Sequence, residues 1–176
     1  IGVDGAGYLH VSWGMHNNPL LYTRSTAPVT NDKPFTLIGD TAGNEGGIGK
    51  TLLPAGRVTY PTFFNIPGDD DLLFAFRTGS SGNGDLQLYR WDTAAGAWSG
   101  VHARPDAPWI AGDFKGDDLP NVNAYWNYAS FDSKGVWHVT WTWRTGQDSP
   151  GPFDDYQSNH HLMYAYSPDQ GVTWYA

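Results

Sequence analysis

The chain has no cysteine and only one glutamate, Glu45, among its 176 residues. The first absence excludes disulfide staples and every form of thiolate chemistry. The second means that any paired-carboxylate chemistry would have to fall on aspartate. No apolar run reaches the ~18 residues that a membrane-spanning helix needs. Basic residues are also scarce: 10 Lys and Arg stand against 18 Asp and Glu, for a formal charge of −8. An acidic chain of this kind is a poor general ligand for nucleic acid. It also repels a polyanion at long range, so any anion site must be a local cluster of cations.

What is present points to strands. Glycine (22) and proline (12) are frequent, 15% of residues are aromatic and 40% are apolar. Such a composition suits one all-β domain of many short strands joined by turns. Ile1 reads as a processed or cut end, with no signal peptide.

Internal repeats set the architecture. "NNPLLYTRS" (17–25), "NGDLQLYRW" (83–91) and "NHHLMYAYS" (159–167) align without gaps as Asn-x-x-Leu followed by a strand-like run. Upstream of each lies a second block: "VSWGMH" (11–16), "LLFAFR" (72–77) and "VTWTWR" (139–144). These alternate in period 2, as half-buried strands do. Val11, Trp13 and Met15 share a face equivalent to Leu72, Phe74 and Phe76, and to Val139, Trp141 and Trp143. A third block, "VTYPTFF" (58–64) and "NAYWNYA" (123–129), pairs Tyr60 with Tyr125. Turn residues separate the runs: "DGAG", "PGDDD" and "DSKG".

Each unit therefore reads strand, turn, strand, loop, strand, turn, strand. This is the plan of a large four-stranded propeller blade. The expected units are 1–50, 55–115 and 120–176, with excess length in loops such as 145–158. Propellers close with roughly 4–8 blades. About two and a half blades leave raw sheet edges, so residues 1–176 are expected to form one fragment of a longer propeller of about seven blades, completed by the same or a second chain. A plain β-sandwich is the alternative.

The last motif, "SPDQGVTW" (167–174), has the form Ser-x-Asp-x-Gly-x-x-Trp and is similar to the Asp-box, or neuraminidase repeat. Its chemistry is local. The Asp169 carboxylate can accept N–H bonds within the turn. Gly171 supplies an unusual backbone angle, and Trp174 buries a large ring. We read Asp169 as structural. "DTAAGAWSG" (92–100) is a degraded equivalent carrying Asp92, Gly96 and Trp98.

The same alignment nominates a site. His16, Arg77 and Arg144 take one position in successive units, so rotation about the propeller axis places them on one rim. Arginine binds carboxylate and sulfate through paired donors. The competing reading pairs each with an aspartate. Tyr60 and Tyr125 precede Arg77 and Arg144 by one hairpin, near enough for positive charge to lower a phenol's pKa. Their ordinary alternative is a hydroxyl tied to nearby backbone. Asn83 is a candidate for sugar hydroxyls, Trp126 for stacking on a sugar ring and His160 for substrate contact. His160 and His161 are adjacent on a strand, so they are expected on opposite faces, which argues against a shared metal. His10 and His138 are equivalent and read as packed, satisfied histidines.

The quoted blocks together resemble large-blade propellers with neuraminidase repeats, and among them most resemble the ulvan lyases of polysaccharide lyase families 24 and 25. The resemblance covers nearly the whole chain. It implies cleavage of a uronate-containing, sulfated glycan by β-elimination, with Tyr60, Arg77 and His16 as catalytic residues. Arg144, Tyr125, Asn83, Trp126 and His160 fall to substrate binding. One further histidine of that family falls before Ile1. The resemblance implies an anionic polysaccharide partner, no required cofactor or metal, no nucleic-acid or membrane partner, and a secreted or periplasmic bacterial location. A sialidase-like hydrolase is one alternative. It would need an arginine triad, a tyrosine with a partner glutamate and a separate aspartate, and Glu45 is the only glutamate. With Asp113, Asp117 or Asp155 as acids, another hydrolase is conceivable. A non-catalytic glycan-binding propeller is the third reading.

Overall fold

The computed structural model describes residues 1–38, 41–42, 53, 56–79, 81–82, 84–102, 109–110, 122–145 and 159–176. Asn83, Glu45, Asp113, Asp117, Asp155 and the loop residues 146–158 lie outside them. Among the described residues every regular element is a β-strand, in three antiparallel sheets. The protein is all-β, and three successive sheets of this kind are consistent with part of a propeller.

The first sheet has the order β1 (Gly2–Val3), β2 (Leu9–Ser12), β4 (Leu21–Arg24), β5 (Thr41–Ala42). The second joins β3 (His16–Pro19) to β6 (Arg57–Asn65), β7 (Leu72–Thr78), β8 (Leu86–Asp92) and β9 (Ala97–Gly100). The third holds β10 (Val122–Phe131), β11 (Trp137–Thr145) and β12 (Asn159–Ser167).

The period-2 pattern translates directly into packing. Along β7, Leu72, Phe74 and Phe76 are fully buried and join Tyr22, Leu20, Trp91 and Trp98 in one core. Leu73 and Ala75 point the other way and join Trp137, Val139, Trp141 and Trp143 in a second core. The second sheet is thus packed on both faces. In the second and third units the aligned face looks toward the unit before it: Phe74 toward the first sheet, Trp141 toward the second. Each fully buried Phe or Leu contributes roughly 1.5–3 kcal/mol. Ring pairs add specific geometry, as in the stacked Phe63–Phe74 pair at 4.3 Å and Trp109–Trp137 at 5.0 Å.

One expected strand does not exist as drawn. The block 11–16 is not continuous: β2 ends at Ser12, and Gly14 takes a left-handed φ of 71°. Residues 16–19 leave the first sheet and pair with β6 of the second, His16 opposite Thr59. Glycine permits the break because it has no Cβ to clash at positive φ. His16 is therefore not equivalent to Arg77 and Arg144. Those two do match, facing Thr59 on β6 and Asn123 on β10.

Two polar devices tie the sheets together. In the first, the Asp4 carboxylate accepts from Tyr8 N (2.8 Å), Trp91 Nε1 (3.0 Å) and the His10 ring at Nε2 (3.1 Å). His10 Nδ1 then accepts from the Tyr22 hydroxyl at 2.7 Å. His138 repeats the arrangement with Asp132 (3.4 Å) and Tyr164 (2.8 Å). Both histidines are satisfied, as read from the sequence. The second device is the Asp-box. Asp169 Oδ1 accepts from Ser167 Oγ and Thr173 N, each at 2.8 Å, and Gly171 N donates to Ser167 Oγ at 2.7 Å. Gly171 has φ 98°, and a Cβ there would lie 2.7 Å from Leu88. Gln170 Oε1 accepts from Arg90 NH1 (2.6 Å), while Arg90 also pairs with Asp69 and Asp71 at 2.7 Å each. The box clips the third sheet onto the second.

Two outcomes follow from these devices. Burial lowers the His10 pKa from 6.5 to about 4, outweighing the help of Asp4. Between those values the unfolded imidazole binds a proton that the folded one refuses, so stability falls as pH drops through this window and levels below it. The loss is roughly 3 kcal/mol. Urea unfolding across the window should show this slope, and a His10→Gln variant should lack that component. Separately, Asp169→Ala should cost about 1–2 kcal/mol of thermal stability while the chain keeps its strand signal in circular dichroism.

Candidate functional site

Strand β6 is where two irregularities meet. The register between β3 and β6 skips Asn17, whose φ is 63°, and Asn17 N donates to Thr59 Oγ1 at 2.9 Å. On β6 itself the register jumps from Thr59 to Thr62. Tyr60, directly before Pro61, takes φ 56° in that gap. A left-handed tyrosine is uncommon, and such strain persists only where its surroundings hold it. The consequence is positional. The bulge turns the Tyr60 side chain out of the strand's alternation, and 40% of the residue stays exposed. Because Thr59 has His16 on one side and Arg77 on the other, all three side chains arrive at one place.

The rings and guanidiniums form a connected cluster. His16 lies edge-on to Tyr60 with centroids 6.1 Å apart, and Tyr60 lies edge-on to Tyr125 at 5.9 Å. The Arg77 guanidinium carbon is 5.3 Å from the Tyr60 ring centre and 4.7 Å from that of Tyr125. Arg144 lies 5.0 Å from the Tyr125 ring. Arg77 is only 3% exposed, and among the described residues its Nε and NH1 have no hydrogen-bond partner. An isolated buried guanidinium is costly. Two ring faces offset part of that cost by cation–π attraction, but they accept no ordinary hydrogen bond.

Sequence reasoning missed three positioning residues. Ser81 Oγ accepts from Arg144 Nε at 2.8 Å and meets the Tyr125 hydroxyl at 3.3 Å. Asn123, fully buried, holds Ser81's neighbour by accepting from Gly82 N at 3.0 Å. Asn159, first residue of the third Asn-x-x-Leu motif, accepts from Arg144 NH1 at 3.1 Å. The motif's recurrence was visible; its contact with the arginine depended on strand pairing.

The two phenols are treated unlike each other. Burial raises Tyr60, and the Tyr125 phenol raises it further by charge and hydrogen bonding, against the opposing pull of Arg77 and Arg144. Burial also works to raise Tyr125, but hydrogen bonds from Ser81 and Arg77 and the charge of both arginines outweigh it, leaving that phenol below its ordinary value. The sequence-based expectation of a lowered phenol covered both tyrosines; its direction holds at Tyr125 and is reversed at Tyr60. Tyr60 has one guanidinium beside it, whereas Tyr125 has two.

Beside the cluster runs an aromatic groove of about 420 Å3, lined by Tyr60, Thr62 and Phe64 from β6 and by Tyr125, Trp126 and Tyr128 from β10. Trp126 lines it while lying edge-on to Phe64 (5.5 Å) and Trp109 (6.1 Å). It is half-buried between sheets, and the exposed ring of the groove is that of Tyr128. His160 sits opposite Trp143 on β12. Its Nδ1 is 2.6 Å from that of His161, so the adjacent histidines do not point apart as expected. The register skips His161, whose φ is 51°, and the bulge brings the rings together. Among the described residues no group of three or more His, Asp or Glu is arranged to hold a metal ion.

No curated protein matches the chain. A family profile does, over residues 1–176. The Asp-box turn that clips the sheets, the repeated antiparallel units and this full-length match agree: the chain belongs to the BNR repeat-containing family.

Proposed function

We propose that the cluster binds the carboxylate of an acidic glycan and cleaves the chain by β-elimination, making the protein a polysaccharide lyase for a uronate-containing, ulvan-like polymer. The observation that carries this reading is Arg77, buried beneath two tyrosine rings with two donors that find no acceptor among the described residues. A ligand carboxylate or sulfate would supply those acceptors. In an acidic chain this is the local positive site that a polyanion needs.

The chemistry suits the residue types. The C5 proton of a uronate is weakly acidic because the anion formed spreads into the carboxylate. That carboxylate must first be neutralised, and Arg77 and Arg144 provide fixed charge where negative charge develops. His16, edge-on to Tyr60, borders the same space. A phenol of the pair then removes the proton, general base help of this kind being worth roughly 10²–10⁴ in rate. The exposed Tyr128 ring extends the groove as a surface for a neighbouring sugar.

A sialidase-like or other hydrolase needs carboxylates at the bond. Among the described residues none forms an ion pair with Arg77. A purely binding propeller would use the same arginines without turnover.

The intact protein should release products carrying a C4–C5 double bond from ulvan or a related uronan, seen as rising ultraviolet absorbance. Saturated products would identify a hydrolase, and affinity without product a binding module. Arg77→Met should weaken uronan binding about tenfold or more, equivalent to ~1.4 kcal/mol, and Arg77→Lys should not restore it, because an ammonium cannot reproduce the planar donor fork.

A further inference from the structure

Two phenols face the same space, and the geometry around them is unequal. Tyr125 has a guanidinium on each side, Arg77 at 4.7 Å and Arg144 at 5.0 Å from its ring centre. Tyr60 has Arg77 alone, at 5.3 Å, and opens to solvent and to His16. Ser81 adds a direction. The Arg144 Nε can only donate, so the Ser81 oxygen is the acceptor of that 2.8 Å bond. With its phenol neutral, Tyr125 donates to that same Ser81 oxygen at 3.3 Å; when the phenol ionises, the single hydroxyl hydrogen of Ser81 turns toward it. An Arg144–Ser81–Tyr125 chain of this polarity favours an anion on Tyr125.

We propose that the phenolate of Tyr125 is the base and Tyr60 the acid of the elimination, with Ser81 the positioning residue that sets this division. The inference rests on the lyase reading above. Tyr125 O⁻ takes the C5 proton. The C5–H electron pair becomes the C4–C5 double bond, the C4–O4 bond breaks, and the O4 leaving group takes the Tyr60 hydroxyl proton. Tyr125 is then neutral and Tyr60 an anion. The two rings lie edge-on with centroids 5.9 Å apart and Tyr60 is open to solvent, so proton exchange through water at the site returns Tyr125 to the phenolate and Tyr60 to the phenol. No oxidant, nucleophile or metal enters the balance. The groups that set the charge on Tyr125 come from each surrounding element: Arg77 from β7, Arg144 from β11, Tyr60 from β6 with His16 of β3 behind it, and Ser81 from the β7–β8 loop.

The test has two readouts. Tyrosine ionisation in the intact protein is followed by near-ultraviolet phenolate absorbance during a pH titration. One phenol should ionise before the rest, and Tyr125→Phe should abolish that phase while Tyr60→Phe keeps it. Loss in Tyr60→Phe, loss in both variants, or no early phase in the parent protein overturns the division. The second readout is the pH profile of kcat/KM on uronan. Its acid limb should move to higher pH in Ser81→Ala and return in Ser81→Thr, which restores the hydroxyl. A Ser81→Ala enzyme that changes only KM, with the limb unmoved, overturns the positioning role. If no uronan gives unsaturated product, the lyase reading fails, while the titration still decides which phenol holds the charge.

Discussion

Strand β7 has no solvent face, and the site depends on that. Leu72, Phe74 and Phe76 fill the contact with the first sheet, while Leu73 and Ala75 fill the contact with the third. A strand buried on both sides cannot slip register by one residue without exchanging its two faces. Its alternation therefore carries Arg77 to the same side as Leu73 and Ala75, toward the third sheet and Tyr125. The arginine is buried because its strand is.

That placement sets the electrostatics of the cluster. The chain as a whole is acidic, yet Arg77 is sheltered from water under two aromatic rings and away from any ion-pair partner among the described residues. In such surroundings a small asymmetry has large effects, because charges are poorly screened. Burial and the neighbouring Tyr125 phenol hold Tyr60 up, while hydrogen bonding to Ser81 and Arg77 and the charge of both arginines pull Tyr125 down. The polar devices elsewhere work differently. Asp4–His10–Tyr22 and the Asp169 turn are internally satisfied. They hold sheets in place.

Much of this was legible in the chain. The repeat blocks placed Arg77 and Arg144 at matching positions, and the pairing Thr59–Arg77 and Asn123–Arg144 shows why: the same step along the same strand of successive units. The turn role of Asp169 and the satisfied state of His10 and His138 were also readable, because Asp169 binds residues two to four positions away and each histidine has an aspartate six positions upstream. The failures share one cause. His16 reached the cluster by leaving its sheet, Tyr60 by a bulge, and the His160–His161 contact by another bulge. A period-2 reading assumes regular pleating and cannot register an extra residue.

By itself, then, the sequence determined the all-β class, the repeating strand pattern, the Asp-box clip and the residue types available for anion chemistry. These are local properties, set by alternation and turn chemistry. Tertiary structure alone decided which phenol lies between two arginines, that Ser81 and Asn123 reach across from one sheet to the next, and that Arg77 keeps donors without partners among the described residues. Those depend on contacts between residues 41 to 63 positions apart. Such contacts exist only once the sheets have packed.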